Sequence, residues 1–112
     1  MLECKLTFKE NGKRVTVSPE EVVFFESDGH YVVLHMKDTS EHRIRCTMSA
    51  LGRMLDNNTF VRIHRGIVVN LACAENIDSK GVWLKWGYGI VPVSRMRREN
   101  VNAAFDIYCN LL

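Results

Sequence analysis

The chain has 112 residues, 46% hydrophobic and 25% charged, with 15 Lys+Arg against 13 Asp+Glu for a formal net charge of +2. That length holds one domain with a modest core, so 1–112 read as a single unit. No apolar run approaches the roughly 20 residues that cross a bilayer, and Met1 to Lys5 lacks the basic-then-apolar order of a secretory leader; no membrane partner is expected, and a cytoplasmic location is. Cys4, Cys46, Cys73 and Cys109 are scattered, with no CxxC pair and no paired spacing with the histidines. Reduced thiols are therefore expected, with no metal site and no cofactor.

In chain order, short apolar alternations at 6–8 and 15–17 flank Asn11-Gly12, a strong hairpin signal. Ser18-Pro19-Glu20-Glu21 reads as a turn or a single helical turn, with Ser18 as cap and Pro19 first. A buried strand follows over 22–26, and Ser27-Asp28-Gly29-His30 breaks it. Strands at 31–36 and 41–46 surround the turn Lys37-Asp38-Thr39-Ser40; on the second, Ile44 and Cys46 face one way and Arg43 and Arg45 the other. Thr47 caps a helix over 48–55 with Met48, Leu51 and Leu55 on its apolar face, and Asp56-Asn57-Asn58 ends it.

Residues 61–64 alternate again, but strict alternation would send Arg65 inward with Val61 and Ile63. A guanidinium is rarely buried without a partner, so the strand is expected to end there, with Gly66 turning the chain and Arg65 in solvent. The run 67–69 re-enters the core, and 71–74 connect to strands at 75–78 and 82–86. Gly87-Tyr88-Gly89 turns into a strand over 90–93. Ser94 then caps a final helix whose buried stripe is Val101, Ala104, Phe105 and Tyr108. About nine short strands and two helices make a mainly β, antiparallel fold with helices at its edges.

Enzyme signatures are absent: no GxSxG, no phosphate-binding glycine loop, no HExxH and no paired carboxylates on a convincing scaffold. No catalytic residue is assigned. The charge distribution says more. Between Arg43 and Arg65 stand five arginines and one acid, Asp56, and Arg95, Arg97 and Arg98 form a second cluster. Acids gather elsewhere, at Glu20, Glu21, Glu26 and Asp28 and at Glu75 and Asp78. Segregated basic charge is the footprint of a phosphate binder, although ordinary solvated arginines give the same pattern.

Three donors stand beside turn or cap residues: His30 after Gly29, Arg65 before Gly66, and Arg95 after Ser94. Arginine can give two parallel hydrogen bonds to guanine O6 and N7; these three are the expected base contacts. Arg43, Arg45, Thr47, Ser49, Arg62 and Arg98 are the expected phosphate contacts, which set register without reading sequence. Bland alternatives stand beside them: Arg62 paired with an acid, His64 as a half-buried hydrogen-bonded ring, and Arg97 and Arg98 as a solvated helix face. Phe24, Phe25, Trp83, Trp86 and Phe105 read as core or strand-pair residues, which disfavours single-stranded RNA. A non-catalytic protein-interaction module using the basic face or a sheet edge is the alternative class.

Phe60-Val61-Arg62-Ile63-His64-Arg65-Gly66-Ile67-Val68-Val69-Asn70 resembles the F-x-R-x-H-R-S-x-[IV]-V-N signature of LytTR domains, the DNA-binding output domains of LytR/AlgR-type bacterial response regulators. Val23-Phe24-Phe25-Glu26-Ser27 resembles the I-x-Y-I-E-[SA] strand of that family, and Ile90-Val91-Pro92-Val93-Ser94-Arg95 its L-P-V-S-R segment. The likeness runs from about Leu6 to Tyr108. It implies an elongated stack of small antiparallel sheets that meets DNA through loops, with His30, Arg65 and Arg95 as groove readers. It further implies double-stranded promoter DNA as partner, pairing of two domains on direct repeats, and a two-component system whose receiver domain lies upstream. Gly66 stands where the family usually has serine, which removes a hydroxyl contact to phosphate.

Overall fold

The computed structural model describes residues 5–110; Cys4 lies outside them. Strands β1 (Leu6–Glu10) and β2 (Lys13–Val17) form a hairpin. Its turn has Asn11 at φ 52° and Gly12 at φ 78°, the two left-handed residues that a tight hairpin turn requires. A 3-10 turn, Pro19–Glu21, leads into β3 (Val22–Asp28), β4 (Tyr31–Met36) and β5 (Glu41–Arg45). Helix α1 (Met48–Gly52) precedes β6 (Phe60–His64) and β7 (Ile67–Asn70). After a 3-10 turn, Leu71–Cys73, come β8 (Ala74–Asp78), β9 (Gly81–Leu84) and β10 (Gly89–Val91). A 3-10 turn, Arg95–Arg97, runs directly into α2 (Arg98–Asn110).

These elements make three antiparallel sheets: β1-β2, a central β5-β4-β3-β7-β6, and β10-β9-β8. The mainly β, stacked-sheet expectation holds, with ten strands among the described residues and an extent of 41 × 33 × 26 Å. The central sheet is buried on both faces. On one side Phe25, Val32, Leu34 and Val68 pack under the hairpin and α1. On the other, Val23, Phe24, Ile63 and Val69 pack under the third sheet and Val101 of α2. Strand β3 serves both cores, and its register with β4 shifts between Val22 and Phe24. That bulge puts Val23 and Phe24 on one side and leaves Val22 and Phe25 on the other.

Asn70, 1% exposed, is the one buried polar residue among those described. Its amide donates to the Val22 carbonyl at 3.0 Å, and its Oδ1 accepts from Ala72 N–H at 3.0 Å. This residue of the signature-like segment is a latch between β7 and β3, fully satisfied and therefore tolerated inside.

Several boundaries depart from the sequence expectation. Helix α1 stops at Gly52, a poor helix former, where Met54 N–H already bonds the Leu51 carbonyl in a tightened last turn. Leu55 is buried all the same, in the first core. Strand β9 ends at Leu84, and Trp86 sits in the turn at φ 60°. Trp83 and Trp86 are 36% and 44% exposed, so neither is a core residue; Trp83 instead donates its indole N–H to Asp78 at 2.8 Å. Ser18 and Ser94 occupy cap positions, but neither hydroxyl makes a cap hydrogen bond.

Candidate nucleic-acid interface

Two tight turns lie side by side at one end of the central sheet. Gly29 and His30 join β3 to β4, whose last paired residues are Asp28 and Tyr31. Gly29 adopts φ 61°, which a side chain would resist. Arg65 and Gly66 join β6 to β7, whose last paired residues are His64 and Ile67. Ser27 N–H donates to the Gly66 carbonyl at 2.8 Å and lashes the two turns together. The register of β6 shifts between Arg62 and His64, a bulge that re-aims the residues leading into the Arg65 turn. Arg65 is exposed, as the cost of burying its guanidinium had required, and His30 is exposed too.

Each neighbour of Arg65 helps to hold that turn. The Arg62 Nη2 donates to the Arg65 carbonyl. His64 Nδ1 accepts from Gly66 N–H at 3.2 Å, so the neutral ring carries its proton on Nε2. Arg62 has no acidic partner among the described residues, which sets aside the ion-pair alternative. Its Nε is buried without a hydrogen-bond partner, and burial, together with the charge of Arg97, presses its pKa below the usual arginine value.

Around the turns opens a cleft of about 530 Å³ whose lining includes His30, Tyr31, Arg45, Thr47, Ser49, Arg62 and Arg65. Six of the nine expected contact residues therefore meet in one depression. Thr47 Oγ1 accepts from Ala50 N–H at 3.0 Å, so the cap of α1 is real and its hydroxyl hydrogen stays free for an anion. Tyr31 had no place in the sequence reading. It forms an aromatic platform, with the Arg45 guanidinium 5.9 Å and that of Arg43 5.4 Å from its ring centre. Arg45 is its cross-strand partner, a pairing that the residues around Tyr31 in the chain do not signal.

Arg43, Arg95 and Arg98 do not line the cleft. Arg43 Nη2 lies 2.5 Å from Asp28 Oδ2, and that hydrogen bond raises the Arg43 pKa. Asp28 thus stands beside the basic cluster and not apart from it, contrary to the expected segregation. Both partners are about half exposed, so the pair contributes little to stability. Arg95 and Arg98 belong to the segment after β10, which hangs from β6 by Ser94 N–H donating to the Ile63 carbonyl at 2.8 Å. Basic groups on two separately folded segments are thereby fastened to one strand.

Among protein families, the LytTr DNA-binding domain matches residues 12–106. The chain belongs to the LytTR family. The match begins at the hairpin turn, so β1 lies outside it, and it ends just short of Tyr108. Among solved structures, this LytTR chain is similar to the LytTr DNA-binding domain of a response regulator from Bacillus cereus, at 18% identity and a TM-score of 0.74, covering 91% of this chain and 96% of that one. At that identity the likeness concerns the fold. No curated protein matches the chain. LytTR domains bind DNA and are non-catalytic, so DNA is the partner. No helix among the described residues is long and apolar enough to cross a membrane.

Proposed function

We propose that this LytTR domain recognises specific promoter duplexes and regulates transcription as the output module of a bacterial response regulator, with a receiver domain upstream. Its working place is then the cytoplasm. The observation that carries the proposal is the lashing of the His30 and Arg65 turns by the Ser27–Gly66 hydrogen bond, inside a cleft edged by Arg45, Thr47, Ser49 and Arg62. Loop tips on a rigid sheet deliver side chains to base edges with little conformational freedom to lose.

In this reading His30 and Arg65 enter one major groove and Arg95 enters the next, donating to guanine acceptors. Arg45, Thr47, Ser49, Arg62 and Arg98 hold phosphates and fix the register. Arg43 joins the phosphate contacts only by leaving Asp28, so its share is smaller than that of Arg45. Two domains side by side occupy direct repeats.

Fluorescence-anisotropy titration of promoter duplexes carrying direct repeats, with random duplex as competitor and at two salt concentrations, tests the proposal. Tight binding that resists competitor is expected, with log affinity falling by about 0.9 per phosphate contact for each decade of salt. Weak binding that is equal for every duplex overturns sequence reading.

A further inference from the structure

Met96 is 91% exposed, the most exposed large apolar side chain among the described residues. Isolated exposed hydrophobes are common and ask for no account. This one, however, is the sole apolar residue in the run Arg95-Met96-Arg97-Arg98. Its backbone is also fixed: Ser94 N–H bonds the Ile63 carbonyl at 2.8 Å, and Arg97 N–H bonds the Ser94 carbonyl at 3.0 Å. The turn is therefore held against the strand that carries Arg62 and leads to Arg65. A thioether offers no strong hydrogen bond to a phosphate, and the described residues leave this one almost wholly uncovered. Placed by arginines against a duplex, it meets one apolar group in the major groove, the C5-methyl of thymine. Its three rotatable bonds let it reach that methyl without displacing the turn.

We propose that Met96 is a specificity-determining residue that packs on the C5-methyl of a thymine neighbouring the base contacted by Arg95. The inference rests on the base-reading role given to the Arg95 turn above, and it adds a demand for thymine that hydrogen-bonding residues do not make.

The test begins with selection of bound duplexes from a random pool by the full chain. In the enriched site each thymine is then replaced singly by deoxyuridine, which deletes only the methyl. One such replacement is expected to weaken the wild-type protein about fourfold, the worth of one buried methyl group. Met96→Ala is expected to bind the thymine and uracil duplexes equally, and Met96→Leu to restore most of the difference. An enriched site without a methyl effect, or an effect of the same size in Met96→Ala, overturns the role of Met96 and leaves the DNA-reading function standing. A pool that yields no enriched sequence overturns both.

Discussion

Arg65 contributes to the fold only through its backbone carbonyl, which Arg62 holds, while its exposed side chain lines the cleft. Arg65→Ala should therefore leave unfolding unchanged and cost about 1–3 kcal/mol on the preferred duplex, with discrimination relaxed at one position. Competition titrations decide it: an equal loss on preferred and random duplex would remove Arg65 from the base readers. Gly66 allows a second test. Its φ is outside the left-handed region, and a Cβ there would stand 3.5 Å from Ser27 Cβ, an ordinary contact. Gly66→Ser should fold, gain about 0.4–1 kcal/mol in urea unfolding by restricting the unfolded chain, and bind duplex at least as tightly. At this scale the sequence was partly legible. The outward turn of Arg65 followed from the cost of burying a guanidinium, but the Asp28–Arg43 pair and the Tyr31 platform depend on strand register across β3, β4 and β5. Spacing along the chain does not encode that register.

Between elements, single residues fix how sheets meet. Gly81 opens β9 at φ +144°, and a Cβ there would lie 2.1 Å from the Val91 carbonyl oxygen. Gly81→Ala should lower stability by at least about 1–3 kcal/mol from backbone strain alone, with the clash against β10 added. Gly52→Ala, in α1 with nothing within 4 Å, should instead raise it by roughly 0.5–1 kcal/mol; thermal unfolding of the two variants separates conformational strain from helix propensity. Glu10 joins the hairpin to β5, with His42 Nδ1 at 2.8 Å and Arg43 N–H donating at 2.8 Å. The His42 hydrogen bond, followed by that of the Arg43 backbone, lowers the Glu10 pKa. A carboxylate with a depressed folded-state pKa contributes stability above its ordinary value, and that contribution is lost as pH falls through the folded value. Glu10→Gln should accordingly cost stability at neutral pH and flatten its decline in the acid range below the ordinary glutamate pKa, as denaturant titrations at several pH values would record. Identical acid limbs in both proteins would dismiss this link. Most strands were legible from period-two patterning and from Asn11-Gly12. The exposed Trp86 turn was not, because an aromatic residue at positive φ leaves no pattern in sequence.

Across the whole molecule, the longest extent is 41 Å, against about 34 Å for one helical repeat of DNA. A body of this length can bridge two successive major grooves on one face of a duplex. The proposed pairing of two domains on direct repeats would then depend on helical phase. Inserting about 5 base pairs between repeats should abolish cooperative binding, and inserting about 10 should restore it, as binding isotherms on the three duplexes would reveal. Indifference to phase would mean that each domain binds alone. The order β5-β4-β3-β7-β6 was not readable from periodicity, which gives strands without neighbours; the family resemblance supplied the stacked arrangement.

The proposed reading groups occupy turns, and the cores on either face of the central sheet do not depend on their side chains. On the proposed reading, replacement of His30, Arg65, Arg95 or Met96 would change which promoter is chosen while Phe25, Ile63, Val69 and the Asn70 latch keep the scaffold intact. Gene duplication followed by drift at these few surface positions is then enough to found a new regulon, so operator preference can diverge far faster in evolution than the fold that carries it.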